Sequence, residues 1–149
     1  MSALRTTEAR KADVLAALGR QKDIWLASAD RSGRPHIIAV SAWWDDEKLV
    51  VATREASRTA RNLAANRLAR LALGSPDDAT VIDVTAASAI PVGEDEDLAS
   101  GFNGAVGWDP RTVGEGWVFI PLEPVRIQAY KGYDELEGRD VMKNSRWLA

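Results

Sequence analysis

Residues 48–74 read KLVVATREASRTARNLAANRLARLALG, and the change of period inside this stretch decides the fold. It opens on Leu49-Val50-Val51-Ala52-Thr53, rich in the β-branched residues that suit a pleated, half-buried surface. From Ser57 the small and apolar residues fall at Ala60, Leu63, Ala64 and Leu68, which is helical spacing, with Arg58, Arg61, Asn62 and Arg67 between them. Ser57 has the chemistry of an N-cap, since its hydroxyl can accept from a backbone N–H left unpaired in the first turn. A helix start there combines free N–H groups, the positive end of the dipole and two arginines, which suits a phosphate or carboxylate. The same arginines also fit a solvated helix face. Residues 69–73 then resume as a strand.

Working outward, the chain supplies more strands than helices. On the N-terminal side, residues 7–18 (TEARKADVLAAL) form an amphipathic pattern with Val14, Leu15 and Leu18 as its stripe and Gly19 as the stop. Residues 24–29 (IWLASA) read as a strand. Asp30-Arg31-Ser32-Gly33-Arg34 has hairpin-turn chemistry, and Pro35 opens a second strand, 36–44 (HIIAVSAWW). With Ile38, Val40 and Ala42 on one face and Ile37 and Ala39 on the other, that strand is expected to be central.

On the C-terminal side, Gly74-Ser75-Pro76-Asp77-Asp78 is a turn and residues 80–92 (TVIDVTAASAIPV) a long strand with a bulge or bend. A helix is expected near 94–105, its acidic start Glu94-Asp95-Glu96-Asp97 read as a solvated first turn. Strands at 117–122 and 125–130 are separated by Glu123-Pro124. The second sends Val125, Ile127 and Ala129 to one face and Arg126, Gln128 and Tyr130 to the other. The charged tail 132–149 ends in Arg146-Trp147-Leu148, where a Trp-Leu pair calls for burial. This succession predicts an antiparallel barrel or sheet with helices at its ends, as one domain over residues 1–149. A dinucleotide-binding Rossmann fold is excluded, because strands do not alternate with helices and no Gly-rich turn follows a strand.

Composition narrows the chemistry. The 149 residues contain no cysteine and one histidine, His36, which removes thiolate catalysis and a Cys/His zinc site and fits a reducing cytoplasm. A net charge of -3 argues against a nucleic-acid partner, and the charged N-terminus against a membrane one. Basic charge is concentrated at Arg54, Arg58, Arg61, Arg67 and Arg70, which suits a small anionic ligand. His36 at a strand start is read as an ordinary hydrogen-bonded side chain. The six tryptophans are read mainly as core or dimer interface, with Trp43, Trp44 and Trp108 as candidates to line a pocket for a planar ligand.

The motif order Gly33-Arg34-Pro35-His36, Trp43-Trp44, Leu49-Val50-Val51-Ala52-Thr53 and Ser57-Arg58-Thr59-Ala60-Arg61-Asn62-Leu63 resembles the pyridoxamine 5'-phosphate oxidase-like proteins. The resemblance is good over 24–73 and weaker beyond. It implies a mainly β (α+β) fold, a six- to seven-stranded antiparallel split β-barrel of the FMN-binding type. It also implies a homodimer with FMN, or the deazaflavin F420, lying between subunits, and an oxidoreductase acting on a small-molecule substrate. A non-catalytic binder of flavin, deazaflavin or haem is the alternative. By position, Ser57 and Arg58 would hold the phosphate, with Arg61 and Asn62 in support. Thr53 would bond the cofactor's polar groups, and the backbone of Ile37, Ile38, Ala39, Val40 and Ser41 would face the ring. No acid–base residue stands out, which accords with hydride chemistry carried by a cofactor. The family often has lysine where this chain has Thr59, so the resemblance implies that lysine there would restore a cation beside the phosphate.

Overall fold

The computed structural model describes residues 4–149. α1 (Thr7–Arg20) starts where the Thr6 hydroxyl accepts from the Ala9 N–H. It is followed by β1 (Asp23–Ala29), β2 (Pro35–Trp44) and β3 (Leu49–Arg54), then α2 (Arg58–Asn66), β4 (Leu68–Ser75) and β5 (Asp78–Ala86). After these come β6 (Ile90–Pro91), α3 (Glu96–Val106), β7 (Trp117–Tyr130), β8 (Asp140–Lys143) and β9 (Arg146–Trp147). The strands pair in the order β3-β2-β1-β4-β5-β7, and β3 pairs with β7 to close a six-stranded antiparallel barrel. The chain therefore forms the split barrel, with β6, β8 and β9 added along β7 and β8.

The main core fills this barrel. Leu26, Val51, Leu71, Ile82, Leu122 and Ile127 meet inside it with Val14 and Leu18 of α1 and with Ala60 and Leu63 of α2. Gln21, just after α1, accepts from the Gly74 N–H beside the start of β1, while Asn66 of α2 donates to the Ala29 carbonyl at its end. The two helices thus sit at opposite ends of β1. A second core lies on the outside of β3 and β7, where Val50, Ala52 and Phe119 pack against Ala99 and Phe102 of α3. This explains why residues 49–52 are apolar without alternation: both faces of β3 are buried. Gly101 lets α3 approach this closely, since a Cβ there would lie 2.4 Å from the Trp43 ring.

Four expectations change. Residues 80–92 are not one strand: β5 ends at Ala86, and β6 crosses to pair with Val118 and Phe119 of β7. Residues 117–130 form one strand, not two. Pro124, which has no N–H to give a ladder, is accommodated where the pairing skips a residue opposite Asp83 and Val84. The tail forms a hairpin, with Asn144 and Ser145 both at positive φ (52° and 61°) between β8 and β9. Trp147 is half-buried there, with the Lys11 ammonium 4.9 Å from its ring, so much of its cover comes from its own chain.

The fourth change concerns β2. It lies between β1 and β3, but only Ala42, Trp43 and Trp44 pair with β3, whereas residues 35–41 pair with β1 alone. Its first half is therefore exposed. Ile37 is 62% and Ile38 43% accessible.

Candidate functional site

The site is built where β2 and β3 part. Beyond Ala42 and Val51 no strand pairing joins them, so β3 continues toward β7 while residues 35–41 of β2 keep a free backbone edge. The chain leaving β3 turns back at once: Ser57 N–H donates to the Arg54 carbonyl at 3.0 Å, and α2 begins at Arg58. Ser57 caps the helix by accepting from the Ala60 N–H at 3.1 Å, and its Oγ lies 3.0 Å from the Thr53 Oγ1. Thr53 and Ser57 thus form one hydroxyl pair beside the parting strands. Helix geometry gives the N–H groups of Arg58 and Thr59 no carbonyl to meet, and no acidic side chain stands in the first turn. An anion is favoured there by both the N–H groups and the dipole.

The hairpin between β1 and β2 leans on the same helix. Asp30 organises it, its Oδ1 accepting from the N–H groups of Ser32 and Arg34, each at 2.9 Å. The Arg34 N–H is the main reason the Asp30 carboxyl is held below the usual carboxylate range, with the Ser32 N–H and the charges of Arg34 and Arg58 adding to it. Between hairpin and helix lies a cleft of about 410 Å³, lined by Asp30, Arg31, Ser32 and Arg34 on one side and by Arg58, Arg61, Asn62 and Ala65 on the other.

The expected site residues separate into groups. Thr53, Ser57, Arg58 and Arg61 lie along the end of β3 and the first turns of α2, with both arginines exposed. Asn62 is buried, and its amide donates to Ser28 Oγ at 3.0 Å, so it fastens α2 to β1 and fixes the direction of its neighbours. Ile37, Ile38 and Ala39 are exposed along the open edge, and the Val40 side chain is in the core. Ser41 is engaged within the fold: it accepts from Trp108 Nε1 at 3.0 Å and donates to Asp23 at 2.9 Å.

Thr59 is not beside the cleft. Its side chain is 1% exposed and its hydroxyl has no hydrogen-bond partner among the described residues, so a lysine here would carry its charge into the core instead of restoring a surface cation. Of the two roles open to Trp43, Trp44 and Trp108, packing is the one the fold gives them. Trp44 lies against the main core, while Trp43 and Trp108 pack around α3, the latter edge-on to Phe102 at 5.7 Å. Reading residues 30–34 only as turn chemistry missed Arg31 and Arg34. The available signal was that two of the turn's five residues are arginines.

A family model described as pyridoxamine 5'-phosphate oxidase matches residues 11–113, from α1 through the loop after α3. The chain belongs to the pyridoxamine 5'-phosphate oxidase family. No curated protein matches the sequence. Among solved structures, one described as an F420 reductase superposes with a TM-score of 0.63 at 19% identity, over 75% of this chain and 93% of the other. The haem-binding protein of Mycobacterium smegmatis gives 0.69 at 17% identity, over 97% of this chain and 60% of its own. HutZ of Vibrio cholerae, described as a haem storage protein, gives 0.63 at 14% identity, over 92% and 99%. At such identities these likenesses show the shared fold alone. The proteins that share this barrel are thus described with ligands of different kinds.

Proposed function

We propose that this member of the family binds FMN or F420 along the free edge of β2 and uses it as an oxidoreductase on a small-molecule substrate. The observation that carries the reading is the parting of β2 and β3, which leaves residues 35–41 paired with β1 on one side and with a free backbone edge on the other, next to the capped, arginine-flanked start of α2. A flat ring with polar rims and a phosphate arm requires both parts together. Arg58 and the first N–H groups of α2 hold the phosphate, with Arg61 one turn on. The Thr53 and Ser57 hydroxyls bond the polar linker, and the edge of 37–41 offers backbone donors and acceptors to the ring, with Ile37, Ile38 and Ala39 shielding it from water. When bound, such a cofactor supplies hydride transfer, and the residues of this chain position it and exclude solvent.

Haem suits these residues less well. Its iron requires an axial ligand, and none of Ile37, Ile38, Ala39, Val40, Ser41, Thr53 or Ser57 can serve as one. His36, half-buried at the start of β2, lies on the face that carries the exposed Ile38 and the buried Val40 and Ala42, opposite Ile37 and Ala39. Calorimetric titration with FMN and with F420 tests the reading, and micromolar binding of at least one is expected. Failure of both to bind removes it. Turnover of NAD(P)H or reduced F420 with an acceptor then separates an enzyme from a carrier.

The reading includes a homodimer in the cytoplasm. The outer face of β1, β2 and β4 leaves Trp25, Ile37 and Leu68 53%, 62% and 63% exposed around the small Ala27, Ala39 and Ala72, a patch that water solvates poorly. Beside it runs a ladder of alternating charge. Arg70 pairs with Asp83, Arg126 lies opposite Asp83 on the next strand, and Arg126 pairs with Asp140 at 2.7 Å. Read in the reverse direction, this ladder presents the opposite signs, so a second copy turned by 180° meets complementary charges as well as an apolar patch. The proposed face thus includes Arg126, Gln128 and Tyr130 and is centred on Trp25. Light scattering at micromolar concentration is expected to give twice the chain mass, and Trp25→Glu to halve it. A single-chain mass for the unaltered protein would remove the dimer.

A further inference from the structure

Resting on that reading, we infer that the ligand held at α2 carries a second anionic group beyond its first phosphate, and that Arg31 and Arg34 of the β1–β2 hairpin bind it. Three observations converge. The cleft between hairpin and helix, about 410 Å³, is in the range that takes a drug-sized group and is much larger than one phosphoryl group requires. It is lined by Arg31, Arg34, Arg58 and Arg61 against one carboxylate, Asp30. None of the four guanidiniums makes an ion pair within 4 Å or donates a side-chain hydrogen bond among the described residues, whereas Arg5, Arg70, Arg111 and Arg126 all do.

Arginines answered by one carboxylate repel each other. The repulsion falls when an anion enters, and a planar guanidinium binds a phosphate or a carboxylate through two parallel hydrogen bonds. The Asp30 carboxylate is already committed to the N–H groups of Ser32 and Arg34, so its part is to fix the loop that carries the two arginines. A monophosphate ester engages Arg58 and the helix start and leaves the hairpin side unused. The ligand class that fills the cleft is a phosphoester whose chain continues to another anion, either a second phosphoryl group or one or more carboxylates.

The test compares FMN, with one phosphate, FAD, with two, and F420, with a phosphodiester and glutamyl carboxylates. Each is titrated into the full chain, the Arg31→Gln/Arg34→Gln variant and Arg58→Ala, with melting temperatures as the folding control. The hairpin variant is expected to bind FMN within twofold of the unaltered protein and to bind FAD or F420 about ten- to a hundredfold more weakly. Which of these two loses affinity identifies the second anion as phosphoryl or carboxylate, and that loss should shrink as salt screens the exposed charges. An unchanged affinity for FAD and F420 overturns the inference, as does an equal loss for all three ligands. If Arg58→Ala weakens FMN binding while the hairpin variant changes nothing, the inference fails and the proposed function stands. If the unaltered chain binds none of the three, both fall.

Discussion

Arg58→Ala is expected to weaken FMN or F420 binding by about ten- to a hundredfold while leaving the melting temperature within about a degree. The size follows from the kind of contact: a hydrogen bond between a guanidinium and a phosphate contributes roughly 1.5–3 kcal/mol, and about 1.4 kcal/mol corresponds to a decade in affinity. Stability is spared because Arg58 is exposed and makes no ion pair among the described residues. Its neighbour behaves in the opposite way. Thr59 is sealed in the core, so Thr59→Lys is expected to lower stability without tightening the ligand, against what the resemblance implied for a lysine at this position. Titration calorimetry with thermal melts on the three proteins checks both halves. Equal affinities in the unaltered protein and Arg58→Ala would take the phosphate away from α2.

The part of this site that could be read from the sequence is the part made by neighbours in the chain. The switch from period two to helical spacing at Ser57 is a local event, and the Ser57 cap and Thr53 lie within one turn of it. The Asp30 turn is local as well. What could not be read depends on where pairing stops. Nothing in HIIAVSAWW says that the contact with β3 ends at Ala42, and an apolar strand with an open edge has the same residues as one buried between two neighbours. Reading β2 as wholly central therefore failed for its first half. The inward turn of Thr59 was equally hidden, because helical spacing gives a residue's direction relative to its neighbours but does not identify the surface it meets.

The fold shows the same division. β7 alternates cleanly over residues 125–130, yet its continuity through Glu123-Pro124 rests on a skipped pairing opposite Asp83 and Val84, a property of two strands together. The β8–β9 turn uses Asn144 and Ser145 at positive φ where glycine would have announced it. Gly101 looks like a poor helix residue until the Trp43 ring is placed against it, and its signal is then plain: no larger side chain fits.

The stability of the structure that carries this site is expected to depend on an ion pair far along the chain, and with a defined pH dependence. Glu135, 5% exposed in the short turn Tyr133–Glu135 after β7, accepts from the Arg5 guanidinium, the Arg5 N–H at 3.1 Å and the Lys131 N–H at 2.8 Å. Beside it the buried Arg10 of α1 donates to the carbonyls of Ala129, Glu135 and Glu137, so the N-terminal segment, the end of β7 and the turn are tied at one point. The side-chain bond from Arg5 is the largest cause that moves the Glu135 pKa from 4.5 down to about 2, against the opposing effect of burial, with the two N–H groups adding to it. A lowered folded-state pKa means that the unfolded chain takes up the proton first as pH falls. The contribution is complete above about pH 4.5 and is lost as pH falls from there through about 2. Glu135→Ala leaves the guanidinium and both N–H groups without this acceptor, and removing one partner of such a pair costs about 3 kcal/mol. Urea unfolding of both proteins from pH 7 to pH 2 should show that difference nearly constant down to pH 5 and shrinking below it. A gap that stays constant to pH 2 would mean that Glu135 acts through packing alone and that the charge on the Arg5 pair is immaterial.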